Sequence, residues 1–285
     1  MTTKTTFVHI TDLHISAPEI NDQRLKSDTM GTLLKVRAMI EALDPQPAFV
    51  IASGDLTNHG DEASFRVLAG HMEGLAAPIV WALGNHDSRQ GFYTGLLGRP
   101  EAGDAPYDHH QVLSGIHVIT LDTSTPMRIG GDLVPAQFDF LEEALAAHAD
   151  LPKIIVMHHA PALDSDPAWE WEGLSFAATE RLAGLLKGRA IAGIFSGHIH
   201  MDRFSHWHGI PLIVGMGLHA ALDPLHGARD SIRSVQGTSF SVCTLRDSGL
   251  TVTCAPLPSD RSEAGVATLE MLRAYEAGLA IRTTA

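Results

Sequence analysis

Short apolar runs alternate with amphipathic stretches along the first two-thirds of the chain, a rhythm that predicts an α/β layered fold. The runs are FVHI (7–10), AFVIAS (48–53), PIVWAL (78–83), KIIVM (153–157) and AIAGIF (190–195), each short enough for a buried strand. Between them, 25–43, 61–75, 135–148 and 175–188 read as helices. Asp61 and Ser175 are placed as caps and Pro135 as a first helical residue. GIHVITLDTS (115–124) reads as a further strand after the glycine-rich, polar stretch 88–112. Beyond residue 200 the runs RFSHWHGI, PLIVGMG, TSFSVCTL and GLTVTCAPL shorten and are divided by turn signals, which predicts a mostly antiparallel second half. Two packed sheets flanked by helices follow from this pattern.

Each early run is followed at once by polar residues. FVHI leads to Asp12 and His14, AFVIAS to Gly54 and Asp55, and PIVWAL to Gly84, Asn85, His86 and Asp87. KIIVM leads to His158 and His159, and AIAGIF to Gly197, His198 and His200. Ligand sites in open α/β sheets form at the carboxyl ends of strands, so these residues should converge. On an extended chain Asp12 and His14 share a face, as do His198 and His200. One Gly-Asp or Gly-Asn-His-Asp is ordinarily a turn, and one His-x-His is ordinarily structural. Five such clusters at five strand ends are not explained as turns.

Asp12, His14, Asp55, Asn85, His158, His198 and His200 are therefore candidate metal ligands. One ion takes four to six donors, so seven protein ligands suggest two ions sharing a carboxylate. Mixed imidazole and carboxylate donors favour divalent or mixed-valence transition ions such as Mn, Fe, Zn or Co over Ca or Mg.

The motifs Asp12-Leu-His14, Gly54-Asp55-Leu-Thr-Asn-His-Gly60, Gly84-Asn85-His86-Asp87, His158-His159 and Gly197-His198-Ile-His200 stand in the order found in the calcineurin-like metallophosphoesterase superfamily. The chain resembles that superfamily, and within it the class III cyclic-nucleotide phosphodiesterases and related glycerophosphodiesterases, over about two-thirds of its length. No ligand position departs from the pattern. The resemblance implies a four-layer αββα sandwich of two mixed sheets. It also implies that Asp12, His14 and His200 bind one ion, that Asn85, His158 and His198 bind the other, and that Asp55 bridges. His198 and His200 would then face the same way yet serve different ions. Two ions roughly 3.5–4 Å apart lower the pKa of a shared water and clamp phosphate oxygens for in-line attack. His86 occupies a position that in the family contacts the phosphate or assists the leaving group, as an imidazole can by donating a proton. A purely supporting role for His86 is the alternative.

The remaining candidates are weaker. Asp87 is expected to orient a neighbouring histidine. Asn58 and His59 lie near the mouth of the site, either touching substrate or solvated, and His219 is a further pocket candidate whose plainer reading is structural. His159 reads mainly as structural. His9, His71, His109, His110, His117, His206 and His208 have no partner motif and read as core or surface residues. Residues 219–237 are expected to form a lid or rim, where Arg229 and Arg233 could meet a phosphate or stay solvated. A catalytic domain is thus expected over 1–260, with a C-terminal helix over 261–285, spaced by Val266, Leu269, Leu272 and Leu279, docking on the core or a second subunit.

Composition narrows the reading further. At 285 residues, 45% hydrophobic and 19% charged, with mean hydropathy near zero, the chain suits one globular domain. A formal charge of −13 without a dense basic run disfavours broad nucleic-acid binding, while a small anionic substrate stays open if metal ions reverse the local field. The absence of a membrane span and of a signal-like N-terminus predicts a cytoplasmic protein. Cys243 and Cys254, on adjacent runs joined at RDSG, are expected as free thiols, with a disulfide as the minority alternative. The function that fits best is hydrolysis of small phosphodiesters, cyclic nucleotides or glycerophosphodiesters. A phospholipid head-group hydrolase or phosphomonoesterase is the alternative, and a repair nuclease or a non-catalytic metal-binding scaffold is disfavoured.

Overall fold

The computed structural model describes residues 4–23, 25–227, 230–258, 260 and 262–276. In chain order the elements are β1 (Lys4–Ile10), α1 (Thr29–Glu41), β2 (Val50–Ala52), α2 (Glu62–Met72), β3 (Ile79–Trp81) and α3 (Arg89–Gly91). They continue with β4 (His109–Leu113), β5 (Ile116–Leu121), α4 (Pro135–Ala146), β6 (Lys153–Met157), α5 (Phe176–Leu186) and β7 (Ile191–Ser196). The last third holds β8 (Arg203–Trp207), β9 (Ile210–Val214), β10 (Ala221–Leu222), β11 (Ser231–Val235), β12 (Thr238–Arg246), β13 (Gly249–Leu257), β14 (Glu263–Thr268) and α6 (Leu269–Glu276).

Two mixed sheets stack face to face. One has the order β13-β12-β1-β2-β3 and the other β4-β5-β6-β7-β9-β8. The five early runs become β1, β2, β3, β6 and β7, all in parallel ladders. Strand periodicity sorts their side chains into layers. Phe7 and Ile51 point inward against Ile154, Val156 and Phe195 of the opposite sheet. Their neighbours Val8, Ile10, Val50 and Ala52 face outward onto Leu33, Val36, Phe65 and Leu68 of α1 and α2. On the far side Ile155, Met157 and Ile194 pack on Phe138, Leu141 and Leu182 of α4 and α5. The result is the expected αββα sandwich.

The helices are bounded by the residues that read as caps. Asp61 accepts from the backbone NH of Ser64 at 2.8 Å, Ser175 from that of Ala178 at 3.2 Å, and Pro135 opens α4. Cys243 and Cys254 are free, since Cys243 sits opposite Val252 and Cys254 opposite Ser241. Among the described residues no helix is long and apolar enough to cross a membrane.

One segment differs from the expectation and a second has regular structure where no periodicity showed it. Residues 263–268, expected as helix, form β14, because pairing with β11 from Ser231↔Thr268 to Ser234↔Gly265 overrides a spacing that also suits a strand. The helix that follows is described only for Leu269–Glu276, and Leu279 lies outside the described residues. The segment 219–237, expected as a lid or rim, is built in part from strands, contributing β10 and β11 to a third, antiparallel sheet of order β10-β11-β14. Arg229 lies outside the described residues, and Arg233 is paired with Asp223, which removes it as a free phosphate contact.

Phe7 joins the two sheets most directly. It is fully buried, stacks on Phe49 at 4.8 Å between ring centroids and meets Phe195 edge-on at 5.4 Å. Phe7→Ala is expected to lower unfolding free energy by about 3–5 kcal/mol in urea titration. A loss below about 1 kcal/mol would mean that the sheets are held elsewhere.

Candidate metal centre

The polar clusters converge at the carboxyl end of both sheets, and they are not carried on extended chain. Asp12, His14, Asp55, His198 and His200 all adopt positive φ, at 50°, 44°, 48°, 76° and 45°. This left-handed conformation is uncommon for residues with a side chain and costs roughly 1–3 kcal/mol when held. Asp12 and His14 do come together, 4.0 Å apart from Nε2 to Oδ1, but not by sharing a strand face as expected: both lie beyond the end of β1 in left-handed backbone that turns each inward. The loops run side by side: Asp12 NH donates to the Gly54 carbonyl at 3.0 Å and His14 NH to the Asp55 carbonyl at 2.9 Å. Two glycines permit the approach. Gly54 has φ 107°, and a Cβ on Gly197 would lie 2.0 Å from Thr11 Oγ1 and 2.4 Å from Asp12 Oδ2.

Each imidazole is held by one nitrogen so that the other is left over. His14 Nδ1 donates to Asn58 Oδ1 at 2.9 Å, His158 Nδ1 to the Ser53 carbonyl at 2.9 Å, and His200 Nδ1 to the Ala220 carbonyl at 2.8 Å. His198 differs by donating from Nε2 to the Trp171 carbonyl at 2.6 Å, which leaves Nδ1. Fixing one nitrogen fixes the tautomer, and such contacts to carbonyls are usual behind metal-bound histidines.

The remaining atoms make an electron-rich cluster. His14 Nε2 and His200 Nε2 lie 3.2 Å apart, and His200 Nε2 is 3.1 Å from Asp12 Oδ1. Asp55 Oδ2 stands between two sets of rings, 3.6 Å from His14 Nε2 and 3.3 Å from His158 Nε2. His158 Nε2 and Asn85 Oδ1 are buried with no hydrogen-bond partner. Two buried carboxylates, facing lone pairs and two orphaned polar atoms demand positive charge. Burial raises and His200 lowers the Asp12 pKa, with a net fall; burial raises and His158 lowers that of Asp55, leaving it well below its usual value. Burial lowers the His158 pKa, yet the Asp55 charge outweighs it and the ring is pushed up to about 9. Protons on histidine thus answer the carboxylates where cations would, and the donor set fits transition ions. Candidate ligand atoms form three groups, each within 4.8 Å: Asp12, His14, Asp55 and His200; His14, His200 and His219, which overlaps the first; and His158, His159 and His198 on the other side. His159 fills both its nitrogens, one with Thr123 Oγ1 at 2.8 Å and one by donating to the Ile129 carbonyl at 2.9 Å, which agrees with a structural role.

The other candidates sort by contact. His86 is solvent-exposed over the centre, its NH donating to Asp55 Oδ1 at 2.8 Å and its Nδ1 to the Asn58 carbonyl at 2.9 Å, so Nε2 faces the cleft. Asp87 does not orient a histidine. Its carboxylate accepts from the backbone NH groups of Leu56, Thr57 and Gly84 at 2.9–3.0 Å and from Thr57 Oγ1 at 3.1 Å, sewing the Asp55 loop to the Asn85 loop. Asn58 holds His14 with its oxygen while its nitrogen donates to Asp22 Oδ2 at 2.6 Å, and His59 Nε2 lies 2.6 Å from the same oxygen. His219 Nε2 accepts from the Lys26 backbone NH at 3.0 Å, and its ring packs 4.6 Å from that of His14. Asp22 carried no sequence signal, because it acts from an irregular loop. The Trp171 carbonyl carried none either, since a backbone acceptor leaves no trace in residue type.

A cleft of about 880 Å³ opens over the cluster, lined by Asp55, Asn85, His86, His198 and His200 and by apolar side chains from other segments. Comparison with known proteins agrees with this geometry. The family model for calcineurin-like phosphoesterases matches residues 5–202. The chain is 35% identical over 213 residues to a probable cyclic nucleotide phosphodiesterase of Rhodococcus erythropolis, covering 73% of this chain and 68% of that one. It is 32% identical over 217 residues to a cAMP/cGMP dual specificity phosphodiesterase of Mycobacterium tuberculosis, covering 73% and 65%. In structure it is similar to a dimetal phosphatase from Danio rerio, with TM-score 0.59, 13% identity and 88% and 98% coverage. It also resembles a purple acid phosphatase from yellow lupin, with TM-score 0.61, 16% identity and 94% and 54% coverage.

Asp87→Ala leaves three buried NH groups without acceptors, each costing about 1–3 kcal/mol. A loss of about 3 kcal/mol or more in urea unfolding is expected, with a smaller loss for Asp87→Asn; equal, negligible losses would contradict the loop-tying role. If the candidate ligands divide between two ions, elemental analysis should show His198→Ala and His200→Ala each depleted mainly of a different one. Equal loss of both ions in both variants would defeat the division.

Proposed function

Because the chain belongs to the calcineurin-like phosphoesterase family and is a hydrolytic enzyme of that family, we propose that it hydrolyses small phosphodiesters, cyclic nucleotides foremost, at the cluster described above. The observation that carries this reading is Asp55 Oδ2, set between His14 and His158 so that one carboxylate serves two groups of imidazoles. The names of the relatives support the substrate class. Asp12, His14, Asp55 and His200 would hold one cation, Asn85, His158 and His198 a second, with Asp55 shared. Two transition ions of the Mn, Fe, Zn or Co group, when bound, would draw in phosphate oxygens and make water acidic enough to act as nucleophile at neutral pH.

The chain's own groups do the remaining work. His86, fixed at Nδ1 by the Asn58 carbonyl, presents Nε2 to the cleft, where it can donate a hydrogen bond or proton to the departing oxygen. The Asp55 carboxylate reaches the His86 backbone and so ties the position of that ring to the centre itself. Asn58 couples the two further, its side chain holding His14 and its carbonyl holding His86. Asp87 fixes the loops that carry both. Asn58, His59 and His219 act in this reading by positioning rather than by direct contact with substrate. The two unpaired cysteines support a reducing, cytoplasmic setting.

His86→Ala should lower kcat on cyclic AMP by about 10²- to 10⁴-fold while metal content per chain stays near the wild-type value. A defect that follows metal loss in proportion would make His86 a support for the centre. A substrate panel of cyclic AMP, 2′,3′-cyclic nucleotides, glycerophosphocholine and a phosphomonoester, with Mn or Zn supplied, tests the class. Turnover of the monoester alone would overturn the diesterase reading.

A further inference from the structure

The third sheet presents a sorted surface to the cleft. Leu222 pairs with Ser234, and Ile232 with Ala267, so strand alternation puts these four side chains on one face. All four line the cleft, together with Leu272 of α6. Arg233 belongs to the opposite face, where Asp223 holds it. From another segment Met127 also lines the cleft, 61% exposed and held at φ 61°. Met127 thus adds a large apolar side chain to the cleft from a strained, left-handed backbone.

Cationic groups, by contrast, are scarce. Among the described residues lining the cleft the cations apart from histidine are Lys26 and Arg89. Arg89 is spent, donating from Nε to Asp122 Oδ2 at 2.8 Å and from Nη2 to the Ser124 carbonyl at 3.0 Å. A second phosphate group would therefore meet little charge outside the metal centre, whereas a flat uncharged ring would meet apolar surface.

We infer that Leu222, Ile232, Ser234, Ala267 and Leu272, with Met127, form a subsite for the heteroaromatic base of a mononucleotide diester, the Ser234 hydroxyl being the polar group that can read a base edge. This rests on the diesterase reading above and adds what selects the substrate. The centre handles the phosphate alike in every diester, so preference among diesters arises at this wall.

The test compares cyclic AMP with 1-deoxyribose 3′,5′-cyclic phosphate, the same cyclic diester without a base, on the metal-loaded full chain. Wild type should show a KM about tenfold lower for cyclic AMP, as burial of one ring face would give. Ile232→Asp and Met127→Ala should each raise the cyclic AMP KM several-fold and leave kinetics on the base-free compound unchanged. Met127→Ala alters an exposed side chain and so reports even if Ile232→Asp fails to fold. Equal KM for the two compounds in wild type, or equal effects of Met127→Ala on both, would overturn the subsite. If wild type hydrolyses neither compound but turns over glycerophosphocholine, the cyclic-nucleotide reading itself fails, and the subsite falls with it by a separate readout.

Discussion

Two carboxylates buried side by side are the constraint from which the rest of the site follows. Asp12 and Asp55 have essentially no exposure to water, and an unpaired buried charge costs far more than any single contact in the core returns. The fold answers by surrounding them with imidazoles whose outer nitrogens are tied to carbonyls or to Asn58, leaving lone pairs aimed inward. That arrangement is stable only with positive charge at its centre. Five left-handed residues, all of them candidate ligands, show the backbone strained to bring it about. The strain is spread over three loops at the ends of strands that are locked by Phe7, Phe49 and Phe195 between the sheets. A rigid double sheet is what lets such loops keep conformations they would not hold alone.

Much of this was readable in the sequence, for a physical reason. β2 and β6 are short and buried on both sides, and β1, β3 and β7 largely so, which makes them appear as continuous apolar runs, and the polar residue ending each run has to lie at the carboxyl end of the sheet. Asp12, His14, Asp55, Asn85, His158, His198 and His200 are brought together because parallel strands present their carboxyl ends on one side. Caps at Asp61 and Ser175 were legible because they act on backbone a few residues away.

What was not legible acts through the backbone or across long distances in sequence. Asp87 looks like a partner for an imidazole, yet its oxygens are taken by NH groups of Leu56, Thr57 and Gly84, and a backbone donor leaves no mark on residue type. Asp22 reaches Asn58 from a loop without periodicity. The stretch 263–268, Glu-Ala-Gly-Val-Ala-Thr, is made mostly of small residues with one apolar Val266, a composition compatible with either helix or strand, and only its partner β11 decides between them. Arg233 reads from sequence as either a phosphate contact or a solvated residue, because its position on a strand, and hence its face, cannot be assigned without knowing that β11 exists.

The division of labour between floor and wall follows from these same facts. The match to the family model ends at residue 202, whereas β10, β11, β14 and α6 lie at 221–276. Residues that hold charge are fixed by electrostatics that tolerate almost no change of type, since losing one donor strands a buried partner. Residues of the third sheet face the cleft with apolar or small side chains whose replacement leaves the buried carboxylates untouched. Such a wall can vary in shape without disturbing the chemistry beneath it. In this chain the buried centre can thus act on the phosphate alone, while the proposed discrimination among diesters rests on a peripheral sheet beyond the residues that the family model matches.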